Sequence, residues 1–471
     1  MQQILTYAFF VLYTITILGI VVVIITDNRN PLKTLPWIIV LLLAPVVGLI
    51  FYFFFGQNLS KQRIISRRTR KRITLQLEEA EPAGHPQLPE RYRSLARLLQ
   101  RTCHSVPLYG SSLTPYTDGR SKMEALLGEI ARARHHIHLQ YYIFSDDATG
   151  CLLRDALVAK AREGVRVRIL YDDVGCSGVH KAFFRGMRRE GIEVHAFLHV
   201  KFPRFTSKVN YRNHRKIVVI DGRVGFLGGM NIADRYVRGT EWGSWRDTHF
   251  RIEGSGVAGL QIAFLSDWSA TTKQRISGSD YFPAAGSFTE NILQIVAGGP
   301  FGKWRTLLQA ESYAIAKARR RIWIQTPYYL PSDVFNTALQ TAALAGIDVR
   351  LMLPARSDSR LIDLASHSYL DDMMRAGVKI LFYEPGFLHS KLLITDDILT
   401  VIGSANMDFR SFEHNFEINA FSYDTEFTER MAAIFRHDAA QCHMLTPAEW
   451  FRRPRSRRWA ESFMRVFSPL M

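Results

Sequence analysis

NHRKIVVIDGRVGFLGGMN, residues 213–231, sets a histidine and a lysine two apart at the mouth of an apolar run, then an aspartate, a glycine pair and an asparagine. LHSKLLITDDILTVIGSANMDFRS, residues 388–411, repeats the order. In an extended chain residues i and i+2 share a face, so His214 and Lys216 point the same way, as do His389 and Lys391. The apolar runs behind them read as buried strands. An imidazole and an ammonium aimed into one cleft suit a phosphate, the lysine neutralising oxygens while the imidazole reacts. Asp221 and Asp396 have the opposite parity and fall in DG and DD turns, where they hold the turn or a buried partner. Asn231 and Asn406 come after GG and GS, where the backbone can approach an anion and an amide can donate to it. One copy alone would read as a strand with a chance His and Lys on its solvated face. Two copies in matching context do not.

Working outward, the surroundings are duplicated as well. IARARHHIHLQYYIFSDD (130–147) aligns with IAKARRRIWIQTPYYLPSD (315–333), AREGVRVRILYDD (161–173) with ALAGIDVRLMLPA (343–355), and MRREGIEVHAF (187–197) with MMRAGVKILFY (373–383). Each pair reads as a helix, a stop and a strand. Helices alternating with short Val/Ile-rich strands predict an α/β fold, with two similar domains of layered β-sheets flanked by helices. The expected domains are 110–290 and 291–471, packed as a pseudo-dimer. A shared axis would bring one His-Lys-Asn set from each half to one site, where phosphodiester exchange needs a nucleophile on one side of phosphorus and a general acid on the other.

The chain has 471 residues, more than one ordinary core accommodates. Its 60 Lys and Arg against 43 Asp and Glu give a net charge of +17, which points to an anionic partner: nucleic acid, acidic lipid or a phosphorylated substrate. Cys103, Cys151, Cys176 and Cys442 are widely spaced, and read as free thiols rather than a zinc site or disulfide framework. Ile4–Thr26 carries no charge and is long enough to span hydrocarbon; Leu35–Gly56 is a second apolar run, with Pro36 and Pro45 tolerable in a membrane helix. No basic n-region precedes the first run, so a cleaved signal peptide is disfavoured. Residues 1–60 are therefore expected to form a two-span transmembrane hairpin, and 61–109 a basic juxtamembrane segment and linker. KQRIISRRTRKR, 61–72, holds seven Lys and Arg, against two in the loop 27–34, which places the body on the cytoplasmic side.

The twin HxKx4D motifs with GG/GSxN resemble the phospholipase D superfamily. The apolar hairpin, NYRNHRKIVVIDGRVGFLGGMNIADRY and GSANMDFRSFEHNFEINAF closely resemble its bacterial cardiolipin synthase branch. That resemblance implies a phosphatidyltransferase of the inner membrane. His214 would attack the phosphorus of one phosphatidylglycerol, giving a phosphatidyl-histidine, while His389 protonates the departing glycerol. A second phosphatidylglycerol would then yield cardiolipin. Catalytic residues carried over are His214, Lys216, Asp221, His389, Lys391 and Asp396, with Asn231, Asn406 and Ser404 toward the phosphate. No metal or redox cofactor is called for. Expected partners are phosphatidylglycerol and anionic membrane lipids, with no nucleic acid; the oligomeric state stays open. A hydrolytic phosphodiesterase acting on phospholipid or nucleic acid would share these residues, and the hairpin argues for lipid.

An acid should fix each histidine's tautomer. Asp247 and Glu417, 33 and 28 residues beyond their histidines, are nominated. HHIH, 135–138, reads as structural rather than metal-binding, and Asp172 or Asp173 as either a cap or a site residue. The segment 449–471 mixes arginines with Trp450, Trp459, Phe463 and Phe467, fitting either a bilayer interface or docking on the domain.

Overall fold

The computed structural model describes residues 2–26, 31–52, 87–199, 210–284, 286 and 288–471. It divides into two compact units, Met1–Lys61 with Val200–Tyr211, and Gln62–His199 with Arg212–Met471.

In the first unit, helix α1 (Gln2–Thr26) has 25 residues, about 37 Å at 1.5 Å per residue. It is the helix among the described residues long and apolar enough to cross a membrane. Thr16 and Thr26 return their hydroxyl protons to the Leu12 and Val22 carbonyls, leaving little polar surface for lipid to meet. The second apolar run does not continue as one helix. It forms α2 (Pro31–Leu43) and α3 (Pro45–Phe51), broken at Ala44. The Trp37 and Tyr52 rings lie 5.5 Å apart, whereas a straight helix would separate these positions by about 22 Å. A Cβ on Gly48 would stand 3.0 Å from the Val40 carbonyl. The run thus doubles back, because Pro45 offers no N–H to carry the ladder through Ala44 and disfavours helical geometry there. Neither piece by itself matches hydrocarbon thickness. The basic stretch 61–72 and residues 53–56 lie outside the described residues.

In the second unit, two sheets repeat one strand order. The first-lobe sheet runs Ser112–Tyr116, His249–Glu253, Val224–Gly228, Ile217–Ile220, His136–Tyr141, Arg166–Asp172, Glu193–Phe197. Its second-lobe counterpart runs Ile292–Gly298, Glu417–Tyr423, Leu399–Gly403, Leu392–Thr395, Arg321–Gln325, Asp348–Pro354, Lys379–Tyr383, with Leu108–Tyr109 and Cys442–Met444 added at its edges. In each, the last three strands of the shared order are parallel and the rest antiparallel. Alternation explains the apolar runs behind the motifs. Ile217 and Val219 enter a core shared with Leu392, Ile394 and Ile418 of the other lobe, while Val218 and Ile220 enter the first lobe's outer core with Leu126 and Leu153. A strand buried on both faces has to be apolar throughout.

The expected linker ends earlier than the sequence suggested. Glu90–Cys103 is a helix whose Tyr92, Leu95, Ala96 and Leu99 lie in the second lobe's core, and Leu108–Tyr109 pairs with Leu293 and Ile292. Proline-rich residues 80–86, outside the described residues, precede it.

A buried polar chain supports the turn after the strand Leu399–Gly403. Glu311, fully buried on the helix Thr306–Lys317, accepts from Asn419 Nδ2 at 2.8 Å through one carboxyl oxygen; the other lacks a partner. Asn419 Oδ1 accepts the Ala405 N–H at 3.2 Å. Burial pushes the Glu311 carboxyl up to about 8, against the Asn419 bond and with help from Glu417. The folded state therefore keeps a proton that the unfolded chain loses above about pH 4.3, so stability falls as pH rises from there to about 8. Glu311→Gln removes that dependence. Its melting temperature relative to wild type, measured on the full chain in detergent, is expected to climb between pH 5 and 8 and then level; a constant offset would show that Glu311 does not hold the proton.

Candidate active site

The two motifs meet because each lobe lends a strand edge to the other. Asn213 bridges Phe416 in parallel, and Gly386–Leu388 pairs in parallel with Ser244–Arg246. The His214 N–H bonds the Phe416 carbonyl at 2.9 Å, and the His389 N–H bonds the Arg246 carbonyl at 2.7 Å. In both places the residue before a histidine lies alongside the residue before an acid of the opposite lobe. The next side chains along, imidazole and carboxylate, are forced together.

Consequently the acids cross over. His214 Nδ1 lies 3.0 and 3.1 Å from the two Glu417 oxygens and 3.2 Å from the Ser404 carbonyl. His389 Nδ1 lies 2.6 Å from Asp247 Oδ2. The sequence reading attached Asp247 to His214 and Glu417 to His389 by matching downstream positions. The structure exchanges them, because the strands that carry the acids pair across the lobe boundary.

Burial lowers the basicity of both histidines. His214 is held below its ordinary value by desolvation, opposed by Glu417 and aided by Lys216. Desolvation, with Lys391, takes His389 to about 3. Each lysine also acts on the other motif's histidine, Lys391 on His214 and Lys216 on His389, so the two sets form one electrostatic site. Burial would raise the two carboxyls, yet Glu417 is held below its ordinary value by His214 and Lys216, and Asp247 by Lys391 and His389. Lys216 donates to the His214 carbonyl at 2.6 Å and its ammonium sits 5.5 Å from the centre of the Tyr142 ring; burial puts it well below an ordinary lysine. Lys391 contacts His389 at Nδ1, 2.8 Å, and at its carbonyl; burial lowers it to about 8. Tyr142 stands edge-on to His214 at 5.0 Å, and Trp245 and Phe387 lie 5.3 and 5.6 Å from His389.

Several expected site residues sit elsewhere. Asp221 takes the backbone N–H groups of Arg134, His135 and His136 at 2.8–2.9 Å. Asp396 takes those of Arg319, Arg320 and Arg321 at 2.7–3.1 Å, and pairs with Arg91. Both have φ +54°, a left-handed turn that aspartate tolerates. They staple the far end of each motif strand to its neighbour and take no place at the histidines. Ser404 is not directed at a phosphate either: its hydroxyl donates to Glu417 Oε2 at 2.5 Å and accepts from the Ile418 N–H at 2.9 Å. Asn231 accepts from the Ile143 N–H at 3.1 Å and donates to the Tyr236 hydroxyl at 2.5 Å. The Asn406 N–H goes to Ser411 Oγ at 3.1 Å, and its side-chain oxygen is buried without a partner.

The halves differ where Gly229 stands for Ser404. A Cβ on Gly229 would lie 2.1 Å from Asp247 Oδ1, so the shorter acid occupies the space that a side chain fills in the other half. Among residues the sequence did not single out for the site, Arg215 bonds the Glu417 carbonyl at 3.1 Å and Asp267 at 2.5 Å. Asp172, read from the sequence as either a cap or a site residue, accepts the Asn213 N–H at 2.8 Å while capping its own turn at Val174 and Gly175. The HHIH histidines are used locally, His136 Nε2 and His138 Nδ1 both meeting Gln261.

The family described as "Cardiolipin synthase, PLD-like domain" matches residues 126–242 and 312–439, one stretch in each lobe, and "Phospholipase_D-nuclease N-terminal" matches 14–57. Cardiolipin synthase 2 of Bacillus anthracis is 41% identical over 98% of this chain and 91% of its own length. The major cardiolipin synthase of Bacillus subtilis is 37% identical over 100% of this chain and 99% of its own. Among solved structures, phosphatidylserine synthase of Haemophilus influenzae covers 80% of this chain and 98% of its own with a TM-score of 0.61 at 13% identity, a likeness of fold. Through its duplicated lobes and near-complete alignment with curated synthases, the chain belongs to the cardiolipin synthase family of phospholipase D-like proteins.

Proposed function

We propose that the chain is a phosphatidyltransferase that joins two phosphatidylglycerol molecules into cardiolipin and releases glycerol. The observation that carries the reading is the crossed pair of buried histidine–carboxylate contacts, His214–Glu417 and His389–Asp247. Glu417 and the Ser404 carbonyl are acceptors at Nδ1 of His214, which keeps the proton there and leaves Nε2 with its lone pair. Nε2 attacks phosphorus, a P–N bond forms, and the P–O bond to glycerol breaks as His389 delivers a proton to the leaving oxygen. His389 then takes the proton from the hydroxyl of a second phosphatidylglycerol, whose oxygen displaces His214. Burial, with Lys391, keeps His389 neutral; the charge of the diester opposes that and favours imidazolium when substrate enters. Lys216 and Lys391 are the donors assigned to the phosphoryl oxygens.

The anchor belongs to the same proposal. We assign α1 one crossing and the 35–56 run a second, which requires the fold-back at Ala44 to open in lipid, with the body on the cytoplasmic side as the basic residues at 61–72 favour. Single cysteines placed at 28 and 66 would then react with impermeant reagent from opposite faces of sealed vesicles; the same face would leave one crossing.

Given phosphatidylglycerol alone in detergent, the protein is expected to yield cardiolipin and glycerol by mass; phosphatidic acid as sole product would make it a hydrolase. His214→Ala and His389→Ala should each lose turnover, by about a hundredfold or more. A phosphodiester with a nitrophenolate leaving group needs no general acid, and so separates the roles. His389→Ala and Asp247→Asn should still release a burst of nitrophenolate and trap a phosphatidyl-enzyme, while His214→Ala and Glu417→Gln should not. If Asp247→Asn behaves like His214→Ala, the crossed assignment fails. Gly229→Ala should share the Asp247→Asn phenotype, since its methyl takes the space of that carboxylate.

A further inference from the structure

The helix Arg455–Arg465 has one face already in use. Glu461, 2% exposed, accepts from Arg453 at 2.6 and 2.8 Å and from Arg457 at 3.3 Å, and Met464 packs against the second lobe's core. This face settles the docking of the helix on the domain. The opposite face carries Trp459, Phe463 and Val466, 77, 64 and 73% exposed. Phe467 follows, its ring 5.4 Å from that of Phe463.

At 100° per residue these four positions fall within an arc of about 100°. Arg455 lies about 20° beyond that arc, while Arg458 and Arg465 lie toward the inward flank, where they reach Asp371 at 3.8 Å and Asp372 at 3.9 Å. Glu461, the helix's one acid, points inward. The outer face is therefore apolar and aromatic, with Arg455 at its edge. Such a patch marks a contact surface rather than ordinary solvent exposure.

Charge decides the occupant. A second copy meeting this face about a two-fold axis would oppose Arg455 to its own kind, in a chain of net charge +17. Anionic headgroups complement it, at about 1 kcal/mol per basic side chain near a membrane surface. Tryptophan and phenylalanine suit the boundary between headgroups and acyl chains. A chain tethered by α1 is never far from lipid. We propose that the outer face of the helix Arg455–Arg465 lies in the interface of an anionic bilayer, with Trp459, Phe463 and Val466 at the acyl boundary and Arg455 among headgroup phosphates. The inference rests on the reading of the substrate as a membrane lipid and adds the surface by which the catalytic body meets it.

The test uses the full chain in vesicles of phosphatidylcholine with one third phosphatidylglycerol, the acyl chains brominated. Wild type should show tryptophan quenching that Trp459→Phe lacks, and the difference should shrink in phosphatidylcholine alone. Trp459→Glu with Phe463→Glu should raise the apparent KM for vesicle-borne phosphatidylglycerol about tenfold while leaving turnover of detergent-dispersed phosphatidylglycerol within about twofold. Equal quenching in wild type and Trp459→Phe overturns the proposal. So does a self-association that the glutamate variant abolishes without any change in quenching, which would assign the face to a second copy. Loss of detergent activity in wild type itself would count against the proposed function instead, since quenching is read independently of turnover.

Discussion

Everything at the site depends on two short backbone contacts across the lobe boundary, Asn213 beside Phe416 and Leu388 beside Arg246. They fix in which order four side chains arrive in one place. A backbone pairing has a repeat of a few ångströms, so a slip of one residue would send each carboxylate to the wrong side of its strand. Arg215, reaching from the first motif to the Glu417 carbonyl and to Asp267, and Arg246, paired with Asp438 at 2.6 Å, lock that register from the first lobe. Thr248 and Ser390 add a hydroxyl contact of 2.7 Å at the same boundary. The functional unit is thus the interface itself.

Such a site is electrostatically demanding. Two lysines, two histidines and two carboxylates are almost wholly withdrawn from water, and isolated buried ions cost several kcal/mol each, with effective values of about that size after relaxation. Here every charge has an opposite one nearby, and the carboxylates also accept from Ser404, Asn415 and the Thr248 N–H. The compensation explains why both acids stay ionised in spite of burial; the lysines are weakened bases because desolvation outweighs the carboxylates that oppose it. A neutral imidazole with one nitrogen committed to a carboxylate is a competent nucleophile or base; the charge of a bound diester is what makes imidazolium favourable.

The two halves have diverged around this shared plan. Behind Glu417 lie Asn419 and a carboxyl, Glu311, whose burial holds it protonated. Behind Asp247, at the place matching Asn419, lies His249, its ring nitrogens buried without partners, near Lys122, whose burial lowers it to about 7. Gly229 accommodates the shorter acid and Ser404 bonds the longer one. A duplicated scaffold that began equal thus gives its two histidines different surroundings, a condition for giving them different chemical duties.

The sequence by itself determined the alternation of helices and strands in each half and the duplicated His-Lys pairs, since period-two apolar patterning and glycine stops are local and a repeat exposes what one copy hides. Its motif aspartates read correctly by parity as turn residues, although the family pattern groups them with the site. What it could not supply was the exchange of Asp247 and Glu417 between histidines, the capture of Ser404 by Glu417, the return of Glu90–Tyr109 into the second lobe, or the doubling back of the 35–52 run. Each of these is a contact between segments distant along the chain or set by a single backbone break. Only tertiary structure decides them, because pairing across a boundary is fixed by which strand edges meet in space, and no local pattern of residues encodes that meeting.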